Sequence, residues 1–135
     1  MFLNLKNIKE IDLSNFDFSK VTMMDWMFYG CENMEHINFG NINTSSLKRM
    51  PTAFYRCFKL TSIDFSNFDF SKVTTMEYLL DYCNNLEYVN FGDINTSSLR
   101  YTKGLFQNCS KLTSIDVSRF NFSKVAGSRP TVSTP

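Results

Sequence analysis

Residues 60–86 read LTSIDFSNFDFSKVTTMEYLLDYCNNL, and two different apolar spacings meet inside this one stretch. In Leu60-x-x-Ile63-x-Phe65-x-x-Phe68-x-Phe70, the alternation through Ile63 and Phe65 predicts a short strand with one buried face. From Ser71 onward the spacing changes: Val73, Met76, Leu79, Leu80 and Cys83 fall at i, i+3, i+6, i+7 and i+10. That is one stripe of a helix, with Ser71 placed as its N-cap. A strand, a turn, a short helix and a turn of this size cannot bury an apolar face alone, so each unit must stack on a neighbour.

The neighbours are present. Cys31, Cys57, Cys83 and Cys109 recur at one constant interval, which Ile11, Ile37, Ile63, Val89 and Ile115 share with Ser19, Ser45, Ser71, Ser97 and Ser123. The match improves at twice that interval, where IDLSNFDFSKVT, IDFSNFDFSKVT and IDVSRFNFSKVA alternate with INFGNINTSSL and VNFGDINTSSL. The chain is a tandem array of two slightly different units. Units near 11–36, 37–62, 63–88 and 89–114, with partial units at both ends, make residues 1–125 one repeat domain. AGSRPTVSTP at 126–135 reads as a flexible tail or linker. Pro51 and Gly104 fall in the helical stretch of the second and fourth units, so regular and broken helices are expected to alternate. If the stretch from Val73 to Cys83 were extended instead, one repeat length could close a three-sided β-helix; the helical spacing favours the first arrangement.

The 135 residues are 43% hydrophobic and 20% charged, enough for one compact domain. With 14 basic and 13 acidic residues there is no general attraction for nucleic acid, and no apolar run approaches the ~20 residues of a membrane span. Fourteen Phe, against Ala only at Ala53 and Ala126, require a core of rings rather than an Ala-rich bundle.

The spacing Leu-x-x-Ile-x-Phe-x-x-Phe-x-Phe resembles the leucine-rich repeat, and FDFSKVTTMEYLLDYCNNL is similar to the Met/Cys-containing repeats of BspA-like surface proteins of bacteria and mycoplasmas. The resemblance runs from Phe2 to Val125. The expected fold is thus an α/β solenoid of about five coils, with one parallel sheet on the concave face and short helices on the convex face. Phe16, Ile42, Phe68, Ile94 and Phe120 replace the usual Asn of leucine-rich repeats, so no buried Asn ladder is expected. The resemblance implies attachment and host contact at a cell surface.

Several columns could carry chemistry. Asp12, Asn38, Asp64, Asn90 and Asp116 alternate in charge; at a strand spacing of ~4.8 Å an unbroken Asp column would repel, and Asn between each pair doubles the separation to roughly 10 Å. Evenly spaced oxygens do not converge on a point, so no metal is assigned. The cysteines lack any C-x₂-C pair, and coils packed at roughly 8–10 Å exceed the ~7 Å bridging limit, so buried free thiols are expected at the inner ends of the helices. His36 is the only histidine, in the column of Glu10, Ser62, Tyr88 and Ser114, and reads as a solvated strand-face residue without a repeated nucleophile beside it.

Rings lying off the buried stripe, Trp26, Tyr29, Tyr55, Tyr78 and Tyr82, are candidate anchors for a partner if they form one contiguous patch. Together with His36, Tyr88 and the Asp/Asn column they make the candidate interaction surface. No catalytic residue and no cofactor is assigned. The expectation is a non-enzymatic recognition or adhesion module of a surface or secreted repeat protein, with a protein ligand on a host or neighbouring cell. A self-assembling spacer whose uncapped ends stack and an intracellular scaffold are the alternatives, and a hydrolase around His36 comes last. With no signal peptide or wall anchor in the sequence, a surface location requires those elements outside this segment, and a cytoplasmic location stays open.

Overall fold

A computed structural model describes residues 2–132; residues 133–135 of the expected tail lie outside the described residues. Among the described residues four three-residue strands recur at the repeat spacing: β1 (Glu10–Asp12), β2 (His36–Asn38), β3 (Ser62–Asp64) and β4 (Tyr88–Asn90). β1 pairs in parallel with β2 and β3 with β4, each residue opposite its equivalent in the next unit. The middle residue of β1, β2 and β3 turns inward and its neighbours face solvent, as the alternation requires.

The expected α/β solenoid is overturned. Among the described residues there is no helix, the strands form two separate two-stranded sheets in place of one, and no closed α/β coil results. The split follows the alternation of the two unit types. β1 and β3 run into Ser14 and Ser66, whereas β2 and β4 run into Gly40 and Gly92, which have φ angles of +58° and +56°.

The stretch read as a helix has another use for its backbone. Met76, Tyr78, Leu80 and Tyr82 donate their N–H groups to the carbonyls of Tyr101, Lys103, Leu105 and Gln107 in the following unit, at 2.8–3.2 Å. The same alternate donation joins Met50, Thr52, Phe54 and Arg56 to Thr75, Glu77, Leu79 and Asp81. Between those outward donors, Leu79, Cys83 and Leu86 close tight turns onto Met76, Leu80 and Cys83. Left-handed residues sit at the third position of two of these turns, Tyr78 (φ +54°) and Tyr82 (φ +61°). No α-helix accommodates such residues, because the left-handed conformation costs roughly 1–2 kcal/mol and points the next N–H away from the helix axis.

The apolar stripe itself survives the change of backbone. Val73, Met76, Leu79, Leu80 and Cys83 are all fully buried, since turns repeating every three or four residues return side chains to one side much as a helix does. Ser71 is no helix cap; its N–H donates to Asp69 Oδ1 in a local turn. Nor do Pro51 and Gly104 interrupt a helix. Pro51 stands in a column that supplies only carbonyls between units, its own accepting from Trp26 N–H, so a missing N–H costs nothing there. Gly104 takes the left-handed position of Trp26, Thr52 and Tyr78 in its unit.

A second backbone ladder runs without a break. Met23, Arg49, Thr75 and Tyr101 bridge in parallel, and Lys48, Thr74, Arg100 and Ala126 each donate N–H to the carbonyl of the equivalent residue one unit earlier, at 2.8–2.9 Å. Between the ladders lies a core of rings. Phe2, Phe28 and Phe54 stack at 5.1–5.3 Å, and Phe39, Phe65 and Phe91 stack at 5.5–6.4 Å. Thr44 and Thr96 replace the Phe of the odd units, and their buried hydroxyls accept the N–H groups of Asp69 and Asn121 at 2.7 Å.

Candidate functional site

The Asp/Asn column is first of all architectural. Asp12, Asp64 and Asp116 accept the N–H of Ser14, Ser66 and Ser118 through Oδ1, and Asn38 and Asn90 accept that of Gly40 and Gly92, at 2.8–3.0 Å. A second column a few positions on does the same: Asp17, Asn43, Asp69, Asn95 and Asn121 hold Ser19, Ser45, Ser71, Ser97 and Ser123. Each unit therefore folds around two turns in which a short acceptor side chain replaces a backbone carbonyl, which is why Asp and Asn interchange there. The signal is present in the sequence as Asp or Asn followed two positions later by Ser or Gly, and a search for apolar periods passes over it. Asn38 Nδ2 also donates to Asp12 Oδ1 at 3.2 Å, so the alternation supplies a donor beside the acid as well as spacing the charges.

His36 and Tyr88 lie exposed on β2 and β4, opposite Glu10 and Ser62 respectively. Tyr88 is 61% exposed, and the Asp/Asn column flanks it. Among the described residues no three His, Cys, Asp or Glu side chains are grouped to hold a metal ion.

The rings off the buried stripe do come together. Trp26 lies 6.4 Å from Tyr29, Tyr29 stacks on Tyr55 at 5.1 Å with 9° between planes, and Tyr82 meets Tyr55 edge-on at 5.7 Å. Trp26 (56% exposed) and Tyr82 (40%) form the open ends of this ridge, and Tyr29 and Tyr55 are half-buried between them. Trp26 and Tyr82 owe their outward position to left-handed backbone, at φ +57° and +61°. Leu3, Asn4, Trp26 and Tyr29 line a small, mainly apolar notch at one end. Beside it, Arg49 grips Asp25 through Nε and Nη2 at 3.1 and 2.8 Å. Tyr78 stands apart from the ridge: its ring covers Gly104, where a Cβ would clash, and Lys103 Nζ approaches its face at 5.9 Å.

Beneath the ridge, Asp81 takes the place of a third stacked Tyr. It is 2% exposed and accepts Asn108 Nδ2 at 2.9 Å. Burial pushes its carboxyl above the ordinary value of 3.8, opposed by the bonds from Asn108 and the Tyr82 backbone. Burial, and next the negative charge of Asp81, raise the Tyr55 phenol. The turn-forming acids move the other way: Asp12 is lowered first by the Ser14 N–H, and Asp17, Asp69 and Asp116 first by the hydroxyls of Ser19, Ser71 and Ser118.

The two groups have opposite linkage. Native Asp81 holds a proton at pH values where the unfolded chain has lost it, so its contribution falls as pH rises from about 4 through its native value. The turn acids contribute above the unfolded value, and that stability is lost as pH falls through their lowered native values. Asp81→Asn keeps the acceptor for Asn108 and removes the buried charge. It raises the unfolding free energy at pH 7, with the gain vanishing near pH 4, in urea titrations run across that range. A gain independent of pH contradicts the assignment.

The four cysteines are free and buried. No helix end holds them; each thiol donates to a carbonyl in the preceding unit, Cys31 to Phe2, Cys57 to Phe28, Cys83 to Phe54 and Cys109 to Leu80, at 2.9–3.3 Å. Burial raises the thiols of Cys31, Cys83 and Cys109, which keeps them protonated and unreactive.

Stacked units of equal length, a side-chain-capped turn system and an inner row of rings define a tandem-repeat protein. The chain belongs to the family described as Mycoplasma protein of unknown function, DUF285, whose profile matches residues 1–88 and again 49–132. A search of curated proteins found no match, and neither did a search of solved structures. No helix among the described residues is long and apolar enough to cross a membrane.

Proposed function

We propose that the chain is a non-enzymatic recognition module that binds a protein on a host or neighbouring cell through the ridge of Trp26, Tyr29, Tyr55 and Tyr82. The single observation carrying this reading is the contiguity of those rings across successive units while the ends of the ridge stay open to solvent. The Asp/Asn column and the thiols are occupied in holding turns and carbonyls, which leaves the ridge as the surface with side chains to spare. His36 and Tyr88 form a secondary surface on the strand side. The parent protein is exported or surface-bound in this reading, in the manner of the BspA-like repeats that the Met/Cys motifs resemble.

The test uses the fluorescently labelled chain on cultured animal cells, read by flow cytometry. Binding is saturable and falls at least tenfold in the Trp26→Ser, Tyr82→Ser double variant, which removes about 1–2 kcal/mol per anchor. His36→Ala, Tyr88→Ser leaves it within about twofold. Equal binding by the ridge variant and the native chain, or no saturable binding at all, overturns the reading. A concentration-dependent series of oligomers in light scattering, abolished by no ridge substitution, supports the self-assembling spacer instead.

A further inference from the structure

Many cations of this chain are answered by an acid of the adjacent unit: Lys6 by Glu32, Lys9 by Glu35, Arg49 by Asp25, Lys111 by Glu87 and Arg119 by Asp93, at 2.6–3.9 Å. One set is not. Lys20, Lys48, Lys72, Arg100 and Lys124 stand one to a unit through five successive units, all exposed, and none enters an ion pair among the described residues. The net charge of +1 conceals this separation, with Asp12, Asp64 and Asp116 on the strand side and the unanswered cations here.

The second backbone ladder holds these cations in line. Val21, Leu47, Val73, Leu99 and Val125 pack inward, so the residues on either side of each face outward together. One outward row reads Lys20, Ser46, Lys72, Ser98, Lys124, and the other Thr22, Lys48, Thr74, Arg100, Ala126. The cation thus stands in the first row in odd units and in the second in even ones. The second row is bonded residue to residue by N–H to carbonyl contacts of 2.8–2.9 Å. This spaces successive units by ~4.8 Å and like positions of alternate units by roughly 10 Å. Ser46, Lys72 and Ser98 tie the first row across units, donating to the carbonyls of Ser19, Ser45 and Ser71. Relief of repulsion alone would be met best by acids between the cations, as at Lys9 and Glu35. Hydroxyls stand there instead, so the repulsion is spread and the positive field is kept. The acids of this edge, Asp17 and Asp69, accept the N–H groups of Ser19 and Ser71, and Asn43, Asn95 and Asn121 replace them in the other units.

We infer that this double row binds a linear sulfated polysaccharide, laid along the stack of units. One sugar ring of an extended polysaccharide advances by about one strand spacing, ~4.8 Å, so one cation per unit meets one acidic group per sugar. The shift of the cation between two rows suits a chain of alternating uronic acid and sulfated amino sugar, whose acidic groups leave its two edges in turn. Lysine and arginine hold sulfate and carboxylate by charge-assisted hydrogen bonds, and the Ser or Thr beside the cation meets the sugar hydroxyls. A single nucleic-acid strand needs rings on which to stack its bases, and neither row contains one. Five cations in a line match a chain better than the plane of a bilayer. The rows share no residue with the aromatic ridge, and their failure leaves the ridge reading standing.

The probe is a fluorescently labelled heparin oligosaccharide, titrated with the full chain at ~0.15 M salt and followed by anisotropy. Binding is saturable and weakens as salt is raised. It exceeds by about tenfold or more the binding of a hyaluronan oligosaccharide of equal length, which carries an acid on every second sugar only. The triple variant Lys48→Thr, Lys72→Ser, Arg100→Thr gives each unit the residue its neighbours carry at the same place, so the fold is kept, and it weakens heparin about tenfold or more. Lys6→Ser, Lys9→Ser, Lys111→Ser removes the same charge from paired cations and leaves the affinity within about twofold, as does Trp26→Ser, Tyr82→Ser. Equal losses in the two triple variants mean that net charge alone attracts the glycan, and they overturn the proposal. So do native affinity in the first triple variant, loss of heparin in the ridge variant, absence of saturable binding, hyaluronan bound as well as heparin, or an oligothymidylate or anionic phospholipid vesicles bound as tightly.

Discussion

Phe65→Ala lowers the unfolding free energy by about 4 kcal/mol, the usual cost of deleting a fully buried ring and leaving its cavity. Phe65 has no solvent exposure and sits at the centre of the ring network. Phe39 and Phe91 stack on it from the units before and after, and Phe54, Phe68 and Phe70 meet it edge-on at 5.1–5.9 Å. The vacancy therefore opens in three units at once, and none can relax without disturbing backbone bonds to the next. Out of a total stability of ~5–15 kcal/mol for a domain, this is a large share. The matched control is Phe16→Ala: that ring is 56% exposed, and its loss costs less than about 1 kcal/mol. Urea denaturation followed by tyrosine and tryptophan fluorescence measures both, and equal midpoints for the two variants contradict the stacked core.

Gly40→Ala is the second large effect, about 3 kcal/mol destabilising, and here the backbone decides. Gly40 has φ +58°, and a Cβ there would lie 2.7 Å from Ser14 Cβ and 2.9 Å from Ser14 Cα. The left-handed conformation costs an L-residue about 1 kcal/mol, and the clash with backbone of the adjacent unit adds to it because that backbone is held by the Asp12 turn. Gly127→Ala separates the two contributions. Its φ is +87°, with no atom within 4 Å of the added Cβ, so its cost stays near ~1 kcal/mol. A Gly40→Ala loss no greater than that of Gly127→Ala means that the units do not approach closely at this point.

The same close approach explains the pairing of unlike units better than charge alone. Where an even unit carries Gly40 or Gly92, its odd neighbour carries Ser14 or Ser66 directly beneath. Thr44 and Thr96 answer the N–H groups of odd units, and Ser46 and Ser98 donate to the carbonyls of Ser19 and Ser71 at 2.6 Å. Odd and even units are two halves of one interlocking interface.

The ridge is legible in the sequence residue by residue and not as a surface. Trp26, Tyr29, Tyr55 and Tyr82 stand out there as rings off the buried stripe, and the structure joins them; Tyr78, which stands out on the same ground, is drawn away over Gly104. Asp81 gives no sign of its burial, because a carboxylate in a Tyr column reads as an ordinary surface substitution until the depth of that column is known.

Repeat length, the inward face of each unit and the identity of the core residues follow from the order of amino acids, because burial depends on which positions recur and not on the backbone path between them. The path itself is decided in three dimensions. A spacing of three and four positions is common to helices and to successive tight turns, and what separates them is where the N–H groups go. In this chain they go to the next unit, since left-handed residues at Tyr78 and Tyr82 turn them outward and the neighbouring carbonyls of Lys103 and Gln107 stand within 2.8–3.1 Å to receive them. Only a neighbour already in place can offer those carbonyls.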